Sequence, residues 1–407
     1  MKNLFNNLGP GVLIAAAFIG PGTVTICTIA GAKYHFVLLW AMVFSIVATI
    51  VLQEMSVRLG LISQKGLAQA VREQLPNPGT KWAAMLLIMS AILVGNAAYE
   101  AGNISGGVLG LETLFQHSSF SMGNLTINLF SLVIGLVAFT VLWIGSYKFI
   151  EKALVILVIL MSLAFVVTAI MTAPNLLAVT KGLLIPSFPE GSLFVIIGLI
   201  GTTVVPYNLF LHASLVQEKW SGEKDLAMAK RDTLISIIGG GIVSIAIMVS
   251  AAAINGSDVR NAADLAQGLE PLFGSYAKYL LAIGLFSAGI TSAITAPMAA
   301  AYVASGCFNW QTNLRSFKFR VIWIFILSIG VVFSSTGFKS IEIIKFAQVA
   351  NGLLLPLVAL FLIWVMNKSS LLGNYTNSLL QNILGFFILI ITFGLTLKSL
   401  GKAFNFF

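Results

Sequence analysis

Two short segments combine proline with glycine or threonine in a way that frees backbone groups for binding. Residues 19–23 read Ile-Gly-Pro-Gly-Thr, and residues 202–208 read Thr-Thr-Val-Val-Pro-Tyr-Asn. Both lie inside long apolar stretches, where a proline removes a backbone donor and breaks a helix. In a membrane, backbone groups freed in this way need partners from protein or from a cavity. Matching breaks in two spans are typical of transporters whose binding site lies where the helices unwind.

At the first break, Gly20 and Gly22 flank Pro21, so we expect carbonyls at and just before Gly20 to face a cavity. Thr23 adds a hydroxyl at the start of the second half-helix. That half-helix presents its N-terminal end, which favours anions, whereas the preceding half presents a C-terminal end, which favours cations. The break therefore leaves the charge of a substrate open. A packing kink is the alternative, because Gly and Pro are common in membrane helices.

At the second break, Thr202 and Thr203 precede the proline, and Tyr207 and Asn208 follow it. Asn208 and His212 are four residues apart and share one face of the following half-helix. His212 is the only histidine inside a predicted span. It either moves protons near neutral pH or packs as a hydrogen-bonded core residue.

Two further predicted spans carry polar side chains at helical spacing. Asn96, Glu100 and Asn103 form a stripe on one face of the third span. A carboxylate at that depth is costly, which makes Glu100 a functional candidate, with a structural carboxylate held by neighbouring amides as the alternative. Gln348 and Asn351 in the tenth span either line a cavity opposite the breaks or join helices by hydrogen bonds.

Composition sets the class of protein. The chain has 407 residues, of which 58% are hydrophobic and 9% are charged. That composition is far from the usual mixture in soluble domains and indicates a polytopic, all-α membrane protein. About eleven charge-poor stretches have spanning length. They are residues 11–31, 36–59, 82–106, 125–146, 150–173, 192–216, 233–254, 277–304, 319–336, 342–366 and 378–399.

The spans and the charges between them predict an organisation and an orientation. The chain reads as one transmembrane transporter domain, 1–407, with a first repeat at 9–173, a second at 192–366 and an extra helix at 378–399. Five spans in each repeat place the second repeat upside down relative to the first. Most of the 23 Lys and Arg residues fall on one side of this arrangement. Because cytoplasmic loops retain such residues, we expect a cytoplasmic N-terminus and an outside C-terminus.

Several other classes are disfavoured. The sequence has no phosphate-binding glycine loop, no helical metal motif with two histidines and no nucleophile elbow, so we expect no enzyme activity and no cofactor. The net charge of +9 is explained by loop topology, so we expect no nucleic-acid partner. The surrounding partner is the lipid bilayer, with a bacterial inner membrane favoured by the compact loops. A monomer is favoured.

Longer motifs resemble the NRAMP divalent-metal transporters. The resemblance is carried by residues 9–11, 19–22, 53–60 and 67–70 in the first two spans, and by 201–212 in the sixth. It extends over spans one to ten with similar loop lengths. It implies the family's LeuT-like inverted repeat of five plus five helices, with helices 1 and 6 broken, and it implies a divalent metal ion as substrate.

Several positions depart from the family pattern at the implied metal site. The family's first-helix motif, Asp-Pro-Gly-Asn, has Gly20 and Thr23 in place of its metal-binding Asp and Asn. In the sixth helix, the metal-binding carbonyl position falls on Thr202. The family's methionine is replaced by Val205 and its first histidine by Tyr207.

Other family positions are partly retained. His212 matches the second histidine of the sixth-helix motif, and Glu100 matches the Glu of the third helix. The Asp of that third-helix motif falls on Ala97. In the tenth helix, the metal-proximal Gln falls on Leu354, while Gln348 matches a different family position. We therefore expect proton coupling to be weak, absent or rerouted through the retained Glu and His.

These departures leave three hypotheses. Loss of the Asp removes the main compensation for stripping water from a divalent ion, and loss of the Met removes the soft ligand. The first hypothesis is transport of Mg²⁺, or of Mn²⁺ with altered selectivity, held by Thr23, Thr202, Asn351 and water near Gly20 and Val205. The second keeps the fold but moves a small organic solute, such as an amino acid or amine. The third is a non-transporting membrane sensor.

Overall fold

The structure is a computed structural model. It describes residues 9–11, 14, 19–115, 119–122, 125–145, 148–254, 259–311 and 313–403.

The described chain is almost entirely helical, with one small hairpin. Helices are numbered from the first described one. They are α1 (Pro21–Tyr34), α2 (Leu39–Ser63), α3 (Leu67–Gln74), α4 (Pro78–Phe115), α5 (Leu129–Ile144), α6 (Lys148–Met171), α7 (Leu176–Leu184), α8 (Leu193–Thr203), α9 (Pro206–Lys219), α10 (Leu226–Ala251), α11 (Ala262–Ala266), α12 (Glu270–Phe273), α13 (Ala277–Phe308), α14 (Phe317–Ser335), α15 (Ser340–Met366), α16 (Ser369–Leu372) and α17 (Leu379–Ala403).

The prediction of a polytopic membrane protein is confirmed. Within the described ranges, nine helical stretches are long and apolar enough to cross a membrane, with α8 and α9 counted together. Large apolar side chains are exposed along α6, α14 and α17, as expected where a helix faces lipid. The first predicted span, 11–31, is described as a continuous helix only from Pro21 onwards, and part of it lies outside the described residues.

The fourth predicted span, 125–146, needs a correction at its start. Leu125–Asn128 is a β-strand, paired antiparallel with Ser119–Met122. α5 begins only at Leu129, where the Asn128 side chain caps the helix by accepting the N–H of Phe130. A capping asparagine satisfies an N–H that has no intrahelical partner, so the helix starts here rather than earlier. α5 is therefore only 16 residues long.

Both predicted breaks are present. α1 begins at Pro21, with Gly20 as its extended N-cap. In the sixth span, α8 ends at Thr203 and α9 begins at Pro206. Each proline stands at the first position of its half-helix, where its missing N–H would be unpaired in any case.

α4 is the central helix against which the first break packs. A Cβ on Gly106 of α4 would lie 2.0 Å from Cβ of Pro21, so the glycine is needed for this contact. A Cβ on Gly289 of α13 would lie 2.7 Å from the backbone N of Gly107. Small residues let helix backbones approach closely in membranes, where apolar burial against lipid gives little driving force. Gly106 on α4 and Gly289 on α13 thus set how closely α4 approaches α1 and α13.

Candidate functional site

The two breaks meet through a pair of hydroxyl groups. Oγ1 of Thr23, in the first turn of α1, lies 2.8 Å from Oγ1 of Thr202, in the last turn of α8. Both side chains are 0% exposed. We call the surroundings of this pair, with Gly22 and Gln348, the break junction. It joins residues 179 positions apart, so the inverted arrangement of the two broken helices creates it.

Proline chemistry frees a carbonyl at the break junction. In an unbroken helix, the carbonyl of Thr202 would accept the N–H of the residue four positions later, which is Pro206 and has none. By contrast, the Gly20 carbonyl accepts the N–H of Val24 at 3.2 Å, and the Val205 carbonyl accepts the N–H of Asn208 at 3.0 Å. The carbonyl of Thr202 is therefore more available to a substrate than the carbonyl of Gly20.

α15 closes the break junction with an amide. A Cβ on Gly22 would lie 2.1 Å from Nε2 of Gln348, and one on Gly201 would lie 2.1 Å from its backbone O. Gln348 is 1% exposed, and its Oε1 has no hydrogen-bond partner among the described residues. Buried polar atoms are nearly always paired, so an unpaired acceptor next to the first break makes Gln348 a candidate binding residue.

Asn351 lies one turn further along α15 and faces α4. Its Oδ1 is 3.9 Å from the position of a Cβ on Gly95, and its Nδ2 has no partner in the described part of the chain. Leu354, at the family's glutamine position, also packs on Gly95, with its Cδ1 2.7 Å from that position. The structure therefore brings Thr23, Thr202 and Gln348 together, whereas the contact that it describes for the Asn351 side chain is with α4.

The second break and the turn after it carry an apolar, an aromatic and an amide side chain, which are Val205, Tyr207 and Asn208. Val205 and Tyr207 are each 0% exposed. The ring of Tyr207 meets that of Tyr99 edge to face, with centroids 5.4 Å apart. Within the described ranges, both side-chain polar atoms of Asn208 lack a partner. Asn208 is therefore a second amide with unpaired atoms. Its position at the second break was noted from the sequence, but it was not predicted to be a binding residue.

The polar stripe of α4 contacts α13 and α14. Nδ2 of Asn96 donates to the carbonyl of Ala296 in α13 at 2.8 Å. Glu100 packs against α14, where a Cβ on Gly330 would lie 2.4 Å from its Cγ, and its Oε2 accepts from Asn103 at 3.4 Å. The stripe thus joins α4 to α13 and α14. None of its hydrogen bonds that the structure describes reaches the break junction.

His212 belongs to a separate pair. Its Nδ1 lies 2.8 Å from Oε1 of Gln53 in α2, and both side chains are buried. Nε2 of each residue lacks a partner among the described residues. Gln53 was missed as a functional candidate, although it lies in the 53–60 motif that carries the family resemblance. Its contact with α9 could not be read from spacing, because the two residues are 159 positions apart.

The donor set at the break junction is neutral. In the described part of the chain, no group of three or more His, Cys, Asp or Glu residues is placed to hold a metal ion. Hydroxyl, carbonyl and amide oxygens are hard, uncharged ligands, which suit a cation that keeps part of its water shell. They also suit the polar groups of a small organic solute.

Solved structures with the same fold are transporters. The Eremococcus coleocola manganese transporter, in complex with an aromatic bis-isothiourea substituted compound, matches with a TM-score of 0.76 and 21% identity, covering 98% of this chain and 87% of its own. Mhp1, a nucleobase-cation-symport-1 family transporter, matches with a TM-score of 0.54 and 14% identity, covering 97% and 93%. These likenesses show the fold: the chain is an integral membrane protein with a LeuT-like inverted repeat whose helices 1 and 6 are broken.

Comparison of the sequence with a family profile and with relatives identifies the family. The profile described as "Natural resistance-associated macrophage protein-like" matches residues 11–402, so the chain belongs to the Nramp family. The divalent metal cation transporter MntH of Yersinia pestis is 28% identical over 399 residues, covering 95% of this chain and 93% of the relative. MntH of Staphylococcus saprophyticus is 29% identical over 416 residues, covering 96% and 90%.

Proposed function

We propose that this protein carries a divalent metal cation, Mg²⁺ or Mn²⁺, across a membrane by alternating access. The ion binds at the break junction, with Thr23 and Thr202 as hydroxyl ligands and Gly20, Val205 and Asn351 around it. The observation that carries the proposal is the 2.8 Å hydroxyl pair that joins the two breaks. The names of the relatives, divalent metal cation transporter and manganese transporter, support the substrate class.

The neutral ligands favour a hard ion that keeps several waters. Mg²⁺ dehydrates reluctantly and usually retains water in protein sites, whereas a transition metal gains from a thioether or imidazole. Val205 offers no donor atom where the family has methionine. We therefore propose that discrimination against Mg²⁺ is lost or reversed relative to the family's manganese transporters.

Proton coupling is weak or absent in this proposal. Ala97, at the family's aspartate position, lines an apolar cavity between α4, α14 and α15 together with Phe333 and Phe346. Such surroundings offer no hydrogen-bonded route for a proton. Any remaining coupling uses Glu100 and the His212–Gln53 pair, which lie on different elements.

The membrane placement completes the proposal. We place the N-terminus in the cytoplasm and the C-terminus outside, in a bacterial inner membrane, with the chain acting as a monomer. The support is the distribution of Lys and Arg between alternate loops. Selective labelling of cysteines introduced at Lys65 and Lys339, from each side of sealed vesicles, tests the orientation.

The function is tested by uptake of Mn²⁺ and Mg²⁺ into proteoliposomes, with internal pH recorded in parallel. We expect saturable entry without acidification. The double variant Gly20→Asp, Val205→Met restores two metal ligands of the family. We expect this variant to raise Mn²⁺ uptake relative to Mg²⁺ uptake. The backbone at Gly20 (φ −101°, ψ −175°) is extended and accepts an aspartate. Gly20→Asp with Val204→Met is the matched control.

A small organic solute is the second candidate. The absence of a carboxylate from the break junction, within the described residues, and the apolar Val205 favour it. If the folded double variant moves every tested metal only at background, the metal proposal fails. Binding of an amino acid or amine to the unmodified protein, lost in Thr202→Val, would then identify the solute class.

A further inference from the structure

A cavity of about 360 Å³ lies at the end of the molecule where α17 terminates. Its walls are the loop before α8, including Phe188, Glu190 and Ser192, and the last turns of α17, which contribute Lys398 and Lys402. It is far in the fold from the break junction, because α8 runs from this loop to the second break. Nothing described above uses it.

Two lysines give the cavity a positive charge. Lys398 and Lys402 are four residues apart, so they share one face of α17. In the described part of the chain, neither forms an ion pair with a carboxylate. Nζ of Lys398 lies 5.9 Å from the ring centroid of Phe188, which places this cation at the cavity wall. Glu190 on the same loop is exposed and offsets part of this charge.

The N-terminus of α8 opens onto the same cavity without a cap. The hydroxyl of Ser192, the N-cap residue, donates to the carbonyl of Pro189 at 2.7 Å and does not cap the helix. The first turn of α8 contains no acidic residue. The first N–H groups of a helix lack intrahelical acceptors and favour anions. Two lysines and the uncapped N-terminus of α8 therefore line the same cavity.

A buried hydroxyl behind the loop adds a further donor without a partner. Tyr34 is 7% exposed, and its Oη has no hydrogen-bond partner among the described residues. This oxygen lies 3.5 Å from the position of a Cβ on Gly191, so it points at the loop that forms the cavity wall. Because buried hydroxyls are normally paired, this donor is consistent with a ligand at the loop.

Aromatic side chains place the cavity at the level of lipid headgroups. Nε1 of Trp40 donates to the carbonyl of Ser187 at 3.0 Å, and the Trp40 ring contacts that of Phe188 in a tilted arrangement with centroids 5.0 Å apart. Trp and Tyr are enriched where membrane meets water, and lysine side chains extend to the same level. An anion bound at this depth is most readily supplied by a phospholipid.

We propose that this cavity binds the phosphate of an anionic phospholipid, held by Lys398, Lys402 and the N–H groups that open α8. The lipid then joins the extra helix α17 to the first half of the broken sixth span. The ligand chemistry is a phosphate with a net negative charge, and the source is the bilayer. This inference does not depend on which ion or solute the protein transports.

The test is thermal unfolding of the full chain in nanodiscs of phosphatidylcholine, with or without phosphatidylglycerol. Because a ligand that binds only the folded state stabilises it, we expect phosphatidylglycerol to raise the unfolding midpoint by several degrees. Lys398→Gln with Lys402→Gln is expected to remove most of that rise. Both lysines are exposed, so the variant keeps its packing.

The matched control is Lys278→Gln with Lys339→Gln, which removes the same charge from two exposed lysines outside the cavity. We expect this control to keep the full rise. An equal loss in both variants would assign the effect to general surface charge and overturn the proposal. The same rise with inorganic phosphate in phosphatidylcholine discs would show a free anion as the ligand and would also overturn it.

Discussion

The break junction and a charged cluster, which lies between the C-terminal half of α2 and the start of α10, both hold polar groups between helices, the first without charge and the second with paired charges. The charged cluster consists of Glu54, Arg58 and Lys230. Glu54 pairs with Arg58 at 3.0 Å and with Lys230 at 2.7 Å. The break junction contains hydroxyls and amides, some of which lack partners among the described residues. Of these two regions of the described chain, the charged cluster pairs its charges, whereas the break junction leaves a hydrogen-bonding atom unpaired only on a neutral side chain.

The difference follows from the cost of burying polar groups. An unpaired ion in a low-dielectric interior is far more costly than an unpaired amide or hydroxyl. A site that is empty for part of a transport cycle therefore tolerates neutral groups better than carboxylates. The loss of the family's aspartate at Gly20 lowers the cost of the empty state and also lowers the affinity for a bare divalent ion.

The largest expected effect comes from removing Arg58. Its side chain is 3% exposed, donates twice to Glu54, and also donates to the carbonyl of Tyr375 and to Oδ1 of Asn377. Arg58→Leu removes these four hydrogen bonds and, among the described residues, leaves Glu54 to Lys230 and Gln381 alone, so we expect the free energy of unfolding to fall by about 3–5 kcal/mol. Denaturant unfolding in detergent measures this.

The control for Arg58 is Lys345→Gln, which breaks an exposed pair with Glu342 at 3.0 Å. Exposed ion pairs contribute roughly 0–1 kcal/mol, so little change is expected there. An Arg58→Leu protein as stable as this control would show that the charged cluster does not support the fold.

The next effect comes from Asp232, whose carboxylate holds the start of the chain. It accepts the N–H of Gly9 at 3.1 Å and that of Gly11 at 2.8 Å. Asp232→Asn keeps the shape but loses the charge, and we expect a loss of about 1–2 kcal/mol. Faster hydrogen exchange at Gly9 and Gly11 measures the released contact. Asp225→Asn is the control. Exchange at Gly9 and Gly11 that is no faster in Asp232→Asn than in this control would contradict the prediction.

A smaller effect on stability, with a large effect on function, is expected at Thr202. Thr202→Val removes the hydroxyl that meets Thr23 but keeps the shape of the side chain. We expect stability to change by less than about 1 kcal/mol and uptake to fall severalfold. Thr203→Val is the control, because that hydroxyl donates to the carbonyl of Leu199 within its own helix. Equal uptake in both variants would place the binding site elsewhere.

The smallest effect is expected at the exposed ion pair of α3. Burial raises the pKa of the Glu73 carboxyl, but hydrogen bonds from Lys65 and Gln69 and the charges of Lys65 and Arg72 outweigh it, so the pKa is lowered. Because the pKa is lower in the folded state, the ionised carboxylate stabilises the fold at pH values above the ordinary Glu pKa. This stabilisation is lost as the pH falls through the pKa of the folded state. Because the group is mostly solvated, Glu73→Gln is expected to cost below about 0.5 kcal/mol. Unfolding midpoints compared at neutral and acidic pH measure it.

Much of the fold could be predicted from local chemistry. Apolar runs of spanning length set the helices, and prolines at positions 21 and 206 set both breaks. The start of α5 could not be predicted in this way, because Leu125–Asn128 is apolar enough to extend the run but pairs as a strand with Ser119–Met122. Pairing between segments overrides the local preference for helix.

The candidate site was only partly predictable. The threonines were predicted because each lies within four residues of the proline at its break. The neighbours of the α4 stripe were not predicted. Helical spacing places Asn96, Glu100 and Asn103 on one face, but it does not say which helix that face contacts. The partnership of His212 with Gln53 was also missed, because it joins different spans.

The sequence by itself determined that the chain crosses a membrane, where two helices break, and which family ligands are missing. Those properties depend on side-chain type and on backbone chemistry within a few residues. Only the tertiary structure decided that Thr23 meets Thr202, that Gln348 closes against Gly22, and that Lys398 and Lys402 lie beside the uncapped start of α8. Those contacts depend on how distant helices pack, which is set by the glycines at their crossings rather than by any local pattern.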